Sequence, residues 1–332
     1  MPQTFPVADS VELAVVERSG FVESRHAGSA VVLAPDGTVV ATHGDPSALV
    51  LPRSSLKPLQ AVAALTAGAP LQDDQLGLAT ASHSGTARHV AVVQDMLDRV
   101  GLTADALACP PSLPTDTDAR REMIRETLPP DRIHHNCSGK HAGMLVACVA
   151  NGWPVAGYLE PTHPLQMHIR EVVERLTGEK VATVAVDGCG APVPAITLIG
   201  LARGIHRMGT SSERSPFALH RHAGTLVRTV RERPWTIAGH GQPDTVLTER
   251  LGLFAKGGAE GVMVAVAPDG TTVALKTLDG SGRVGPIVAV HLLAAAGALP
   301  REAVQDAAAQ LPLSVQGGGA VVGVIRPTVG VG

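Results

Sequence analysis

Two turns of nearly the same composition, Ala34-Pro35-Asp36-Gly37 and Ala267-Pro268-Asp269-Gly270, stand near opposite ends of the chain, each between short apolar runs. Proline presets the first turn angle, glycine accepts the positive φ that follows, and the flanking residues suit strands, so each reads as a β-hairpin. The first covers 28–42 and the second 261–276. Between them the pattern is mainly helical, at 54–68, 86–100, 115–127, 164–177, 196–208, 216–231 and 245–251, with an apolar strand at 181–186. Helices at 286–298 and 300–309 follow the second hairpin. Hairpin, helices, then hairpin and helix is the order of a chain whose ends build one antiparallel sheet. The expectation is an α+β fold, not a doubly wound one, in a single domain over 1–332, with a sheet region at 1–50 and 250–332 and a mainly helical lobe at 51–249.

A chain of 332 residues can bury a sizeable core. Its net charge of -3, with no basic block, offers no footprint for nucleic acid or an anionic membrane. Met1 to Ser10 has no basic stretch followed by an apolar run, and no apolar stretch approaches about 18 residues, so the expected location is the cytoplasm.

Four cysteines, Cys109, Cys137, Cys148 and Cys189, are too few and too widely spaced for a disulfide framework, which leaves reduced thiols or metal ligands. Lysine is the more telling residue. Of 27 basic residues only Lys57, Lys140, Lys180, Lys256 and Lys276 are lysines. Arginine is the ordinary surface cation here, and guanidinium stays protonated, whereas a buried amine can lose its proton and serve as base or ligand. All but Lys180 lie in glycine- or serine-bearing stretches.

In Arg53-Ser54-Ser55-Leu56-Lys57-Pro58, ahead of an Ala-rich apolar helix, Lys57 falls one turn after Ser54 on the same face. That spacing suits a serine nucleophile whose proton a desolvated lysine accepts, and it also suits a capping serine beside a surface lysine. Further on, Ala81-Ser82-His83-Ser84-Gly85 turns into a helix, and Ser82 and Ser84 each read as site residue or helix cap. Lys256-Gly257-Gly258 precedes the second hairpin. The order resembles Ser-x-x-Lys, Ser-x-Asn and Lys-Thr-Gly of the penicillin-binding and serine β-lactamase enzymes, but Ser84 stands where Asn would and Gly257 where Thr would.

The densest chemistry is His134-His135-Asn136-Cys137-Ser138-Gly139-Lys140-His141-Ala142-Gly143, joined by Asp187-Gly188-Cys189-Gly190-Ala191-Pro192. Two thiolates on separate glycine-flanked loops could hold zinc, completed by a nitrogen ligand such as His135 or His141 and an open position. The other reading makes Cys137 and Cys189 small buried hydrophobes.

These blocks, taken with Arg53–Pro58 and Ala81–Gly85, resemble the rhizobial-type L-asparaginases, the asparaginase II family, in order and over nearly the whole chain. The resemblance implies a serine β-lactamase-like fold, usually dimeric, that hydrolyses L-asparagine to L-aspartate and ammonia. It implies two Ser-Lys pairs, Ser54 with Lys57 and Ser82 with Lys256, and a zinc site on Cys137, Lys140 and Cys189. A lysine ligand must be deprotonated to bind, which would explain Lys140 among so many arginines. Asp187 would receive the substrate ammonium and Arg53 its carboxylate, with His141 and Ser84 beside them. Gly239-His240-Gly241-Gln242 departs from the more acidic loop of the family. The alternatives are another serine amidase of this fold, a glutaminase or β-lactamase-like enzyme, and a noncatalytic zinc-dependent amino-acid-binding protein.

Overall fold

A computed structural model describes residues 2–330. The strands are β1 (Val11–Arg18), β2 (Phe21–Leu33), β3 (Val39–His43), β4 (Leu49–Val50), β5 (Thr183–Val186), β6 (Pro192–Thr197), β7 (Phe254–Gly258), β8 (Val262–Val266), β9 (Thr272–Thr277), β10 (Ser314–Gly317) and β11 (Ala320–Pro327). The helices are α1 (Lys57–Thr66), α2 (Asp73–Ala79), α3 (Ala87–Asp98), α4 (Thr117–Arg125), α5 (Ser138–Ala150), α6 (Pro164–Thr177), α7 (Leu198–Gly209), α8 (Ala218–Glu232), α9 (Pro243–Leu251), α10 (Gly285–Ala295) and α11 (Arg301–Ala308).

Eight strands make one sheet in the order β10-β11-β1-β2-β9-β8-β7, with β3 paired to β2 off that path, and β4-β6-β5 make a small second sheet. The two ends meet where β2 runs antiparallel to β9, from Gly28 opposite Thr277 to Leu33 opposite Thr272. Only glycine fits at 28, since a Cβ there would lie 2.2 Å from the Lys276 carbonyl oxygen. This is the α+β architecture expected from the hairpins.

Successive residues of a strand point to opposite faces, and both faces here are covered. Val31 and Leu33 of β2 join the core of the helical lobe, with residues of α1, α5, α6 and α7. Ala30 and Val32 join a second core built on α9, α10 and α11. With both faces buried, β8 and β9 are buried along their whole length, which is why the β8 sequence is apolar without alternation.

Three features depart from the sequence reading. β10 and β11 form a further hairpin around Gly318 and Gly319, both at positive φ, and β11 pairs with β1. Residues 73–79 form a helix that the pattern did not announce. Ser54 lies in a 3-10 turn, Arg53–Leu56, and α1 starts at Lys57 with Pro58 in its first turn, where the missing N–H removes no helical bond. Among the described residues, no helix is long and apolar enough to cross a membrane.

α1 packs against α5, α6 and α8, and its Leu59 and Val62 are fully buried. Leu59→Ala is expected to lower the unfolding free energy by about 2–5 kcal/mol, read from urea denaturation, because the packed neighbours cannot collapse into the space.

Candidate active site

The 3-10 turn that carries Ser54 is clamped onto β7. Ser55 Oγ donates to the Lys256 carbonyl at 3.1 Å. A Cβ at Gly258 would lie 2.7 Å from the Pro52 carbonyl oxygen and 2.9 Å from Ser55 Oγ, so glycine permits the approach. Ser54, Ser82 and Lys256 thereby line one cavity of about 350 Å³, together with Asn136, Gln242 and Asp244. Among the described residues the Ser54 hydroxyl has no hydrogen-bond partner, and Ser54 is half-buried at the cavity wall.

The hydrogen bonds distribute differently from the expected pairs. Lys57 is 1% exposed, and its Nζ donates to the Ala81 carbonyl at 2.6 Å and to Ser82 Oγ at 2.9 Å. The ordered hydroxyl partner of Lys57 is therefore Ser82 and not Ser54. Lys256 is fully buried and bonds Asp244 Oδ2 at 3.1 Å and the Gly257 carbonyl at 2.7 Å, with no bond to Ser82. Burial pulls the Lys57 amine below the usual lysine range, and the charges of Lys256 and Lys140 add to that, against an opposing pull from Cys137.

Beneath Lys57 lie the thiols. Lys140 is 3% exposed and its Nζ is 3.0 Å from Cys189 Sγ. A hydrogen bond from Cys189 holds Cys137 well below the usual thiol range, helped by the charges of Lys57 and Lys140 against burial, while Cys189 is raised by Cys137 and burial. Burial pulls Lys140 down most, but the two thiols more than reverse it and leave it raised. The other two thiols are inert by comparison: burial pushes Cys109 up to about 12 and Cys148 to about 11.

Arg53 and Asp187, expected to take opposite ends of a substrate, are joined to each other by Nε to Oδ1 at 2.7 Å. Burial alone would raise Asp187, but the Arg53 hydrogen bond, Lys140 and the Gly188 amide hold its carboxyl below the usual range. Arg53 has φ +52, the left-handed region that a side chain disfavours, so the ion pair holds a strained backbone next to Ser54. Its side chain lines a separate cavity of about 590 Å³ with Glu260 and Lys276.

His141 and Ser84 stand off the cavity. His141 is fully buried, with Nδ1 2.6 Å from the Tyr158 hydroxyl and Nε2 without a partner among the described residues. Burial takes its imidazole down to about 4. Ser84 is 3% exposed and packs on Gly239, where a Cβ would meet its Oγ at 2.4 Å. Of the two serines in Ser82-His83-Ser84, only Ser82 faces the cavity.

Asp244 was missed in the sequence. It lies on α9, in the loop-to-helix stretch set apart only as a short helix, and no motif spacing ties it to Lys256. Its Oδ1 and Oδ2 both accept the Gly257 N–H at 3.0 Å.

A zinc ion on Cys137, Lys140 and Cys189 fits the donors present. They supply two thiols and an amine whose Nζ is 3.0 Å from Cys189 Sγ, and His141 Nε2 is a buried nitrogen without a hydrogen-bond partner among the described residues. Among the described residues no group of three or more His, Cys, Asp or Glu side chains gathers at metal-binding geometry.

The sequence matches the L-asparaginase II family over residues 14–327. The chain belongs to that family. In coarse terms it is an amidohydrolase. No curated protein matches it. Solved structures to which it is similar include a putative beta-lactamase from Bacteroides dorei DSM 17855, at 14% identity and TM-score 0.44 over 75% of this chain and 84% of that one. A Bacillus glutaminase in the presence of 4.3M NaCl gives 16% identity and TM-score 0.43 over 82% and 91%.

Because the clamp depends on the space above Gly258, Gly258→Ala is expected to cost about 1–3 kcal/mol in urea denaturation through overpacking against the Ser54 turn.

Proposed function

We propose that this asparaginase II family protein hydrolyses the side-chain amide of L-asparagine, releasing L-aspartate and ammonia through an ester on Ser54. The observation that carries the reading is the free Ser54 hydroxyl facing the same cavity as Ser82, whose Oγ is held by the buried Lys57 amine. Ser54 Oγ adds to the amide carbon, and its proton passes through the Ser82 hydroxyl to Lys57 in the neutral form. The carbonyl oxygen takes the negative charge. Collapse breaks the C–N bond, and Lys57 returns the proton to the leaving nitrogen through Ser82, so that ammonia departs. A water molecule then adds to the ester carbon by the same relay, the C–O bond to Ser54 breaks, and Ser54 recovers its proton as aspartate leaves.

Arg53 adjoins Ser54 in the chain, and were its ion pair with Asp187 to open, the two would offer charges suited to an amino acid's carboxylate and ammonium. Cys137, Lys140 and Cys189 would hold zinc, which when bound would supply positive charge and fix the two loops. The assembly carried with this reading is a homodimer, and the location the cytoplasm.

Ammonia release from L-asparagine and L-glutamine, measured side by side, tests the substrate; equal or greater kcat/KM on glutamine would replace asparagine with glutamine. Ser54→Ala is expected to lower kcat/KM by at least about 10³-fold, and Ser82→Ala by about 10²-fold, each with the urea midpoint of the parent. Full activity in Ser54→Ala sinks the nucleophile assignment. Elemental analysis of protein purified without chelator is expected to find zinc that Cys189→Ala loses. Metal-free parent protein with unchanged turnover in Cys189→Ala removes the zinc reading.

A further inference from the structure

We infer that Asp244 is the positioning residue of this cavity: it fixes the Lys256 ammonium so that Lys256 acts as a rigid hydrogen-bond donor to the reacting carbonyl oxygen, and not as a second proton-relaying base. The inference rests on reading the cavity as an amidase site.

The two lysines at the cavity meet different partners. Lys57 donates to a carbonyl and a hydroxyl, with the Cys137 thiol also against it and no carboxylate. Lys256 has a carboxylate, and the charged side chains that face it are Asp244 from α9 and Lys57 from α1. An ammonium has three donors. Asp244 Oδ2 and the Gly257 carbonyl take two of those of Lys256, which leaves one for the cavity that Lys256 lines with Ser54. A donor held in advance where negative charge develops needs no reorganisation during the reaction, which is how preorganised donors lower barriers.

Asp244 is itself held rigidly. Both its oxygens accept the Gly257 N–H at 3.0 Å. It sits in the first turn of α9, where the helix N-terminus favours a carboxylate, and it is 9% exposed. The geometry also explains the departure from Lys-Thr-Gly. A Cβ at position 257 would lie 3.1 Å from Asp244 Oδ1, so a threonine there would press on the carboxylate that holds the lysine. Lys256-Gly257-Gly258 is then a motif with one glycine fitted to Asp244 and the next fitted to the Ser54 turn.

The test compares Asp244→Asn, Lys256→Met and the double variant with the parent, after urea denaturation shows which are folded. Asp244→Asn is expected to lower kcat on asparagine by about 10- to 100-fold with KM within about twofold, as a misplaced donor does. In the double variant, activity is expected to equal that of Lys256→Met, because Asp244 acts only through Lys256. An Asp244→Asn kcat within twofold of the parent, or losses that multiply in the double variant, overturns the proposal. A second arm needs no turnover. With five lysines in the chain, the 15N-resolved ammonium resonance of Lys256 is assignable by its absence in Lys256→Met. It is expected to shift or broaden away in Asp244→Asn, and an unmoved resonance overturns the proposal. A parent protein that hydrolyses no amide refutes the amidase reading alone, while this arm still decides whether Asp244 fixes Lys256.

Discussion

The contact on which the site depends is the close approach of the 3-10 turn at 53–56 to strand β7. Two carbonyls and a hydroxyl meet across it: Ser55 Oγ on the Lys256 carbonyl, and the Pro52 carbonyl over Gly258. Because the turn is set by this contact, Ser54 and the Lys256 side chain reach the same cavity although they lie some two hundred residues apart in sequence. The sheet supplies Lys256, the helical lobe supplies Lys57 and Ser82, and the turn is the seam between them. Proline on both sides, at 52 and 58, limits how the backbone can run through that seam.

Three buried lysines, Lys57, Lys140 and Lys256, gather in this small volume, a costly arrangement without matching negative charge. The compensation is divided. Asp244 meets Lys256, the Cys137–Cys189 pair meets Lys140, and Lys57 has a carbonyl, a hydroxyl and the pull of Cys137. At Lys57 burial outweighs that pull and lowers the amine below the usual lysine range, the direction a lysine base needs.

The parts of this arrangement that were legible in the sequence are those written locally. The paired Pro-Asp-Gly turns announce the hairpins, and the scarcity of lysine points to Lys57, Lys140 and Lys256. The pairing of those lysines was not legible. A spacing of three places Lys57 beside Ser54 on a helix, but the amine follows the tertiary position of Ser82, which arrives from a different loop. Asp244 was hidden for the same reason, since only the packing of α9 on β7 brings it to Lys256. The β10–β11 hairpin went unread because its strands are half-exposed and interrupted by glycine, so the alternation is weak. The partner of His141, Tyr158, was likewise not legible, since it lies beyond the motif.

The order in which the strands join the large sheet bears on how the chain comes to be folded. β1 pairs with β11, and β2 with β9, so the early strands are completed by segments synthesised much later. Contacts of such long sequence separation must close large loops before they return any stabilisation, and they form slowly. The lobe at 51–249 is by contrast contiguous and mostly helical. A ribosome-bound chain would thus carry β1, β2 and β3 without their neighbours while that lobe forms. The exposed edges of those strands are where association with other chains is most favoured until β9 and β11 emerge.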